Sequence, residues 1–320
     1  MHEIGERLKD ARVVVTGGTG FLGSHLRAVA EGHGIENARY LGSRDYNLVD
    51  PAECARLIEA ERPDVLIHAA AVCGGIGANR DEPGRFFYEN ASMGIHLMEA
   101  ARQGGVGKFV QIGTVCSYPK FAPSPFQEAE IWNGYPEETN APYGLAKKIL
   151  LVQLEAYRQQ YGFNGVCVIP VNLYGPRDNF DLRTSHVIPA LIRKFDEAKS
   201  SGARSVTCWG DGTPTREFLY AADAAEGIFL AASKLETSEP VNLGTGEEIS
   251  IRDLSELIAS LVGYDGEVVW DVDKPNGQPR RRLDVTRARE LLGFEAKTKL
   301  KEGIESTVAW YRDSALPSAR

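Results

Sequence analysis

Tyr143 and Lys147 stand four residues apart in Tyr-Gly-Leu-Ala-Lys. On a helix this spacing puts a phenol and an ammonium on one face. A nearby ammonium favours phenolate, so the pair predicts a lowered phenol pKa and proton exchange near neutrality. The lysine can also hold a ribose. Spacing alone fits an ordinary contact on an amphipathic helix equally well; position in the chain argues for chemistry. The pair opens a proline-free helix read over Tyr143–Tyr161, and a strand-like run, Lys108-Phe-Val-Gln-Ile-Gly113, precedes it and ends on a hydroxyl, Thr114.

Cys116 lies two residues past Thr114. Taken alone, a free cysteine there is as well read as a small buried apolar residue. His186 comes just before a helix whose first turn carries Pro189, where a lone histidine reads as a cap or a surface group. The five cysteines are odd in number and scattered, with no Cys-x-x-Cys and no His/Cys cluster. Neither a disulfide framework nor a metal site is signalled, and a reducing cytoplasm fits best.

Gly17, Gly18, Thr19, Gly20, Phe21, Leu22 and Gly23 form a G-x-x-G-x-x-G loop between a β-branched run and a helical pattern. Glycines let backbone turn sharply and approach a pyrophosphate, which then meets the free N–H groups and positive end of the helix. The loop therefore predicts dinucleotide binding. The second strand ends Leu41-Gly42-Ser43-Arg44-Asp45. Arg44 can pair with the 2′-phosphate of NADP(H), whereas Asp45 suits the free diol of NAD(H). The balance favours NADP(H), with NAD(H) left open.

These groups need a scaffold. Strand-like runs at 12–16, 38–41, 64–71, 108–113 and 166–171 alternate with helical patterns near 22–31, 50–60, 85–103 and 143–161. A glycine-rich loop is expected over Cys73–Asn79. The alternation predicts an α/β fold, a Rossmann-type doubly wound parallel sheet. After Tyr174 the pattern loosens into loops and helices near 188–200, 252–262 and 286–292. The expected division is a dinucleotide-binding domain over 1–174, with part of 218–246 returning to it, and a smaller substrate lobe over 175–320. Net charge is −8 with no lysine or arginine block, so no nucleic-acid partner is expected. No apolar run approaches 18 residues, so no membrane span is expected either.

The order of glycine loop, strand-end hydroxyl and Tyr-x-x-x-Lys resembles the extended short-chain dehydrogenase/reductase superfamily over nearly the whole chain. That resemblance implies a catalytic set of Thr114, Tyr143 and Lys147, and a dimer built from helix pairs. The stretches "HAAAVCGGIGAN", "CSYPK", "NAPYGLAKK", "NLYGPRDNF", "SHVIPAL", "WGDGTPTREFLY" and "VNLGTG" resemble the GDP-L-fucose synthase family. Those enzymes epimerise C3 and C5 of GDP-4-keto-6-deoxy-mannose and reduce its C4 ketone.

The family resemblance implies Cys116 as base and His186 as acid, on opposite faces of a sugar whose ketone acidifies C3 and C5. It further implies a nucleotide-sugar site that includes Asn172, His186, Lys194, Trp209, Arg216 and Arg281. The chain departs from the family at Thr114-Val115, where two serines are usual, at Lys194, where arginine is usual, and at Gly18-Thr19, where histidine-arginine is usual. Reduction or epimerisation of another nucleotide-linked keto sugar is the nearest alternative. Val115-Cys116 lacks the Asp-Glu pair of sugar 4,6-dehydratases, and the presence of both Tyr143 and Lys147 argues against a cofactor-sensing regulator without turnover.

Overall fold

The computed structural model describes residues 2–274 and 276–315. After a short helix, α1 (His2–Leu8), the run Val13–Thr16 forms β1, buried at every residue. It pairs in parallel with β2 (Ala38–Leu41) on one side and β3 (Val65–His68) on the other. β3 pairs with β4 (Lys108–Ile112), and β4 with β5 (Gly165–Pro170). β3, β4 and β5 are buried throughout. Strands covered on both faces read as continuous apolar runs rather than alternating ones, which is why these were visible as runs.

The crossovers are α2 (Phe21–Gly32), α3 (Pro51–Glu61), the short α4 (Ile76–Asp81) with α5 (Pro83–Gln103), and α6 (Ala141–Tyr161). α3 starts as its sequence dictates: Asp50 accepts from the N–H of Ala52 at 2.9 Å, and Pro51 opens the first turn. The expected Cys73–Asn79 loop is corrected in part, since Ile76 begins α4. Gly75 precedes α4 pressed against Ser185, whose carbonyl a Cβ would meet at 2.4 Å.

Past Tyr174 the chain is more regular than its pattern suggests. β6 (Asn172–Tyr174), α7 (Val187–Ser201), β7 (Ser205–Trp209), β8 (Thr215–Arg216) and β9 (Phe218–Tyr220) lead into α8 (Ala221–Lys234). Then β10 (Val241–Leu243) pairs in parallel with β5 and completes a six-stranded parallel sheet in the order β10-β5-β4-β3-β1-β2. α8 is buried on nearly all sides, so it has little amphipathic period to betray it. β11 (Ile249–Ser250), α9 (Ile251–Val262), β12 (Glu267–Asp271), β13 (Arg280–Arg281) and α10 (Leu300–Ala315) follow. The helix expected near 286–292 is present, α-helical at 286–287 and π-helical over Ala288–Leu292.

Two apolar clusters result. The larger is built on the six-stranded sheet and includes Leu283, Ala288 and Leu292. The smaller holds α7, β7 and α9 around Phe195, Ile258 and Ile304. Glu217 ties the two regions together. It is wholly buried, and its carboxylate accepts from the N–H groups of Thr245 at 2.5 Å, Gly246 at 2.8 Å and Leu283 at 2.7 Å.

Candidate active site

A cleft of roughly 880 Å³ runs past the C-terminal ends of β1, β3 and β4 to α7 and β8. Its first end is the glycine loop. Thr16, Gly17, Thr19, Gly20, Phe21 and Leu22 line it, and Gly20 caps α2 with no side-chain hydrogen bond, leaving the helix N-terminus facing the cavity. Gly17 has φ +69°, and a Cβ there would lie 2.7 Å from Ala70 backbone. Gly18 and Gly23 do not line the cleft. They permit packing instead, for a Cβ would lie 2.6 Å from Tyr40 or 2.4 Å from the Gly17 carbonyl.

The second-strand residues separate. Asp45 turns its carboxylate onto its own loop, accepting from the N–H of Gly42 at 2.7 Å, so its charge is engaged there. Ser43 lines the cleft, while Arg44 is exposed just outside its wall.

Midway along the cleft lie Thr114, Cys116, Tyr143 and Lys147. Thr114 follows β4 and caps a single 3₁₀ turn, accepting from the N–H of Cys116 at 3.2 Å. That turn sits on the start of α6 at Gly144, where a Cβ would meet the Cys116 carbonyl at 2.2 Å. Glycine at 144 therefore lets the thiol segment approach the tyrosine. The Thr114 side chain hydrogen-bonds the Tyr143 phenol, and Phe86 packs edge-on against its ring.

The expected lowering of the phenol's pKa is reversed. Burial, together with the neighbouring Cys73 and Cys116 thiols, pushes Tyr143 well above its ordinary value, outweighing the Thr114 hydrogen bond. Desolvation favours the neutral phenol, so Tyr143 is held protonated. Lys147 is buried and its ammonium makes no hydrogen bond among the described residues; burial pushes it down to about 8. Behind it His68, fully buried, faces Thr16 Oγ1 through Nδ1 at 2.8 Å and leaves Nε2 without a partner. Burial and the Lys147 charge hold that imidazole well below its ordinary pKa.

The far wall carries His186, Lys194, Trp209, Arg216 and Arg281. His186 occupies the N-cap position of α7 but makes no capping bond, so its ring is free to face the cavity. Desolvation by the walls and the charge of Arg281 push it down. Lys194 donates to the Thr207 carbonyl at 3.0 Å. Among the described residues Arg216 donates to carbonyls, Thr215 at 2.8 Å and Asn276 at 3.4 Å; burial and the like charge of Arg281 push it down to about 9. Among the described residues, no carboxylate forms an ion pair with Lys194, Arg216 or Arg281.

Arg281 is deeper than its neighbours and reaches the thiol, donating from Nη1 to Cys116 Sγ at 3.8 Å. Asn172 lines the cleft, but its amide is already engaged with Glu217 and Arg281. Residues that sequence reasoning did not single out also line the cavity: Cys73, Asp178 and Gln278. Asp178 is almost fully buried, its Oδ2 has no partner, and burial raises it to about 7. It sits inside "GPRDNF", a stretch that carried the resemblance without giving this carboxyl a role.

Comparison with known proteins follows the same line. The profile of the NAD dependent epimerase/dehydratase family matches residues 13–244. GDP-L-fucose synthase of Escherichia coli (strain K12) is 41% identical over 312 residues, covering 95% of this chain and 97% of that protein. A GDP-L-fucose synthetase from Naegleria fowleri, solved with NADP bound, superposes with a TM-score of 0.88 at 28% identity, over 96% of this chain and 95% of that one. A GDP-6-OMe-4-keto-L-xylo-heptose reductase from C. jejuni superposes with a TM-score of 0.91 at 26% identity, covering 96% and 99%.

Proposed function

The chain belongs to the NAD dependent epimerase/dehydratase family, in its GDP-L-fucose synthase branch, and from that premise we propose its reaction. It inverts C3 and C5 of GDP-4-keto-6-deoxy-mannose and reduces the C4 ketone, giving GDP-L-fucose. One observation carries this reading: a single cleft presents a thiol and a protonated phenol at its middle, and an imidazole with unneutralised cations on its far wall.

NADP(H) fits the near end. The glycine cradle leaves no room for side chains at Gly17, and the open N-terminus of α2 suits a pyrophosphate. Arg44 stands outside the wall where it can reach a 2′-phosphate, while Asp45 is withdrawn onto Gly42. Bound cofactor supplies the hydride for C4. Lys147 holds the nicotinamide ribose.

The chain's own groups move the protons. Thr114 and Tyr143 donate hydrogen bonds to the C4 carbonyl oxygen, which acidifies the protons at C3 and C5 and stabilises the enolate. Cys116 removes a carbon-bound proton from one face, and His186 returns one to the other. Tyr143, kept protonated by its burial, then donates its proton to O4. Arg216, Lys194 and Trp209 take the nucleotide diphosphate, whose anions relieve the unpaired charges on that wall. Asn172 and Arg281 complete the sugar end of the site.

The wider organisation follows. Residues 1–174, with part of 218–246, act as the dinucleotide-binding unit and 175–320 mainly as the substrate lobe; the two separate core clusters support that division. Exposed Phe87, Tyr88 and Ile95 on α5 and Ile149 and Val152 on α6, two helices that pack tightly at Gly94 and Leu150, support a homodimer through this pair. All five cysteines are free, which supports a cytoplasmic enzyme. No helix among the described residues is long and apolar enough to cross a membrane.

The test is incubation with GDP-4-keto-6-deoxy-mannose in deuterium oxide, with NADPH and then NADH. Oxidation of NADPH with deuterium at C3 and C5 of the product is expected, and slower turnover with NADH. Oxidation without deuterium uptake would leave a plain reductase, the activity named for the C. jejuni relative.

A further inference from the structure

Arg281 is held in part by Gln278, a group that the reaction outlined above does not use. Its Nε donates to Gln278 Oε1 at 3.2 Å, and its Nη1 to Asn172 Oδ1 at 3.4 Å as well as to Cys116 Sγ at 3.8 Å. Gln278 is 4% exposed. Its Nε2 donates to the carbonyls of Lys120 at 2.9 Å and Pro119 at 3.4 Å. Those two acceptors determine which end of the amide faces the arginine, because a reversed amide would set donor against donor and acceptor against acceptor. Asn172 is oriented the same way, its Nδ2 donating to the Glu217 carbonyl at 2.8 Å.

The guanidinium is thus clamped by two neutral amide oxygens. A carboxylate in either place would neutralise it. Amides orient it and leave its charge for the sulfur. A cation against a sulfur stabilises the anion formed when the sulfur loses its proton, and the rigid fork keeps that charge in one place.

We propose that Gln278 is a positioning residue for the epimerisation half of the reaction, fixing the Arg281 guanidinium against Cys116 so that the sulfur acts as base. In the step it serves, the thiolate takes a proton from C3 or C5, an S–H bond forms, and the C–H electron pair moves into the enolate. The inference rests on the assignment of Cys116 as base, so its test has one arm that needs no substrate.

In that arm, Gln278→Ala, Gln278→Glu and wild type are treated with iodoacetamide at near-neutral pH. Modification is read peptide by peptide, with Cys73, which lines the same cavity, as internal standard. Both variants are expected to slow alkylation of Cys116 about tenfold relative to Cys73. In the second arm, deuterium uptake at C3 and C5 falls about tenfold in Gln278→Ala, while reduction of the already epimerised ketone stays within about twofold of wild type. A merely structural residue would depress both activities together and lower the melting temperature with them. Unchanged relative alkylation of Cys116 in both variants, or exchange and reduction declining in parallel, overturns the proposal. Slowed alkylation in variants of a wild type that takes up no deuterium would retire the base assignment and leave the clamp standing.

Discussion

The two walls of the cleft are built differently. The cofactor wall is mainly backbone and short side chains: a glycine turn after β1, a hydroxyl after β4, and a phenol and ammonium on the first turns of α6. The opposite wall is made of long side chains from α7, β7, β8 and β13, the cations Lys194, Arg216 and Arg281 with the indole of Trp209. Close backbone approach admits few substitutions, whereas long side chains can be exchanged with limited damage. On the proposed assignment the first wall carries the hydride and thiol chemistry, while the second supplies the imidazole acid and the cations that select the substrate.

The sharpest way to break this contrast is to remove one reacting group from each half of the reaction. Tyr143→Phe should lower C4 reduction by about 10²–10⁴-fold, with deuterium exchange at C3 and C5 falling far less because Thr114 still polarises the ketone. Cys116→Ser should lower exchange by a similar factor. Loss of both activities in either variant would merge the two halves. Next in size is the proposed anion contact on the far wall. Arg216→Met should raise KM by about 10–100-fold with kcat changed far less, because a charge-assisted hydrogen bond is lost from binding rather than from chemistry.

A smaller effect tests the crowding of the cofactor wall. Gly23→Ala drives a methyl into the Gly17 carbonyl and should weaken NADPH binding roughly tenfold by titration calorimetry. Lys147 then sharpens the picture through pH. With its ammonium titrating at about 8, kcat/KM should fall as pH rises through that value, and Lys147→Arg, always charged, should displace the falling limb upward. The smallest effect is on stability. His68 is kept neutral in the folded state while the unfolded chain takes up a proton below about 6.5, so acid favours unfolding. Melting should weaken by up to about 1.4 kcal/mol per pH unit below that point, and His68→Asn should flatten this slope.

The same contrast explains what was legible in the sequence. The glycine loop and Tyr143-x-x-x-Lys147 are local: a strand or helix of known period carries all their atoms, so spacing becomes geometry directly. Cys116 could be placed because it shares a strand end with Thr114. Arg281 meets Cys116 only because β13 lies in parallel beside β8, a two-residue pairing that leaves no periodic trace. Gln278 and Asp178 were invisible as functional groups for the same reason, since their meaning depends on partners or on the absence of partners. Tyr143 marks the limit of reading charge from spacing. Lys147 is the right distance along the helix, but burial, which no single-residue pattern reports, decides the phenol's protonation.

The buried carboxylate of Glu217 has a mechanical consequence. One side chain from the segment that bears Arg216 grips the turn after β10 and the chain after β13 at once. Shear along that seam would break three charge-assisted bonds in a dry environment, so the seam resists sliding. Arg216, one residue before this grip, is thereby anchored to the chain beyond β10, and on the proposed assignment the same anchor sets how far the nucleotide diphosphate stands from the sheet.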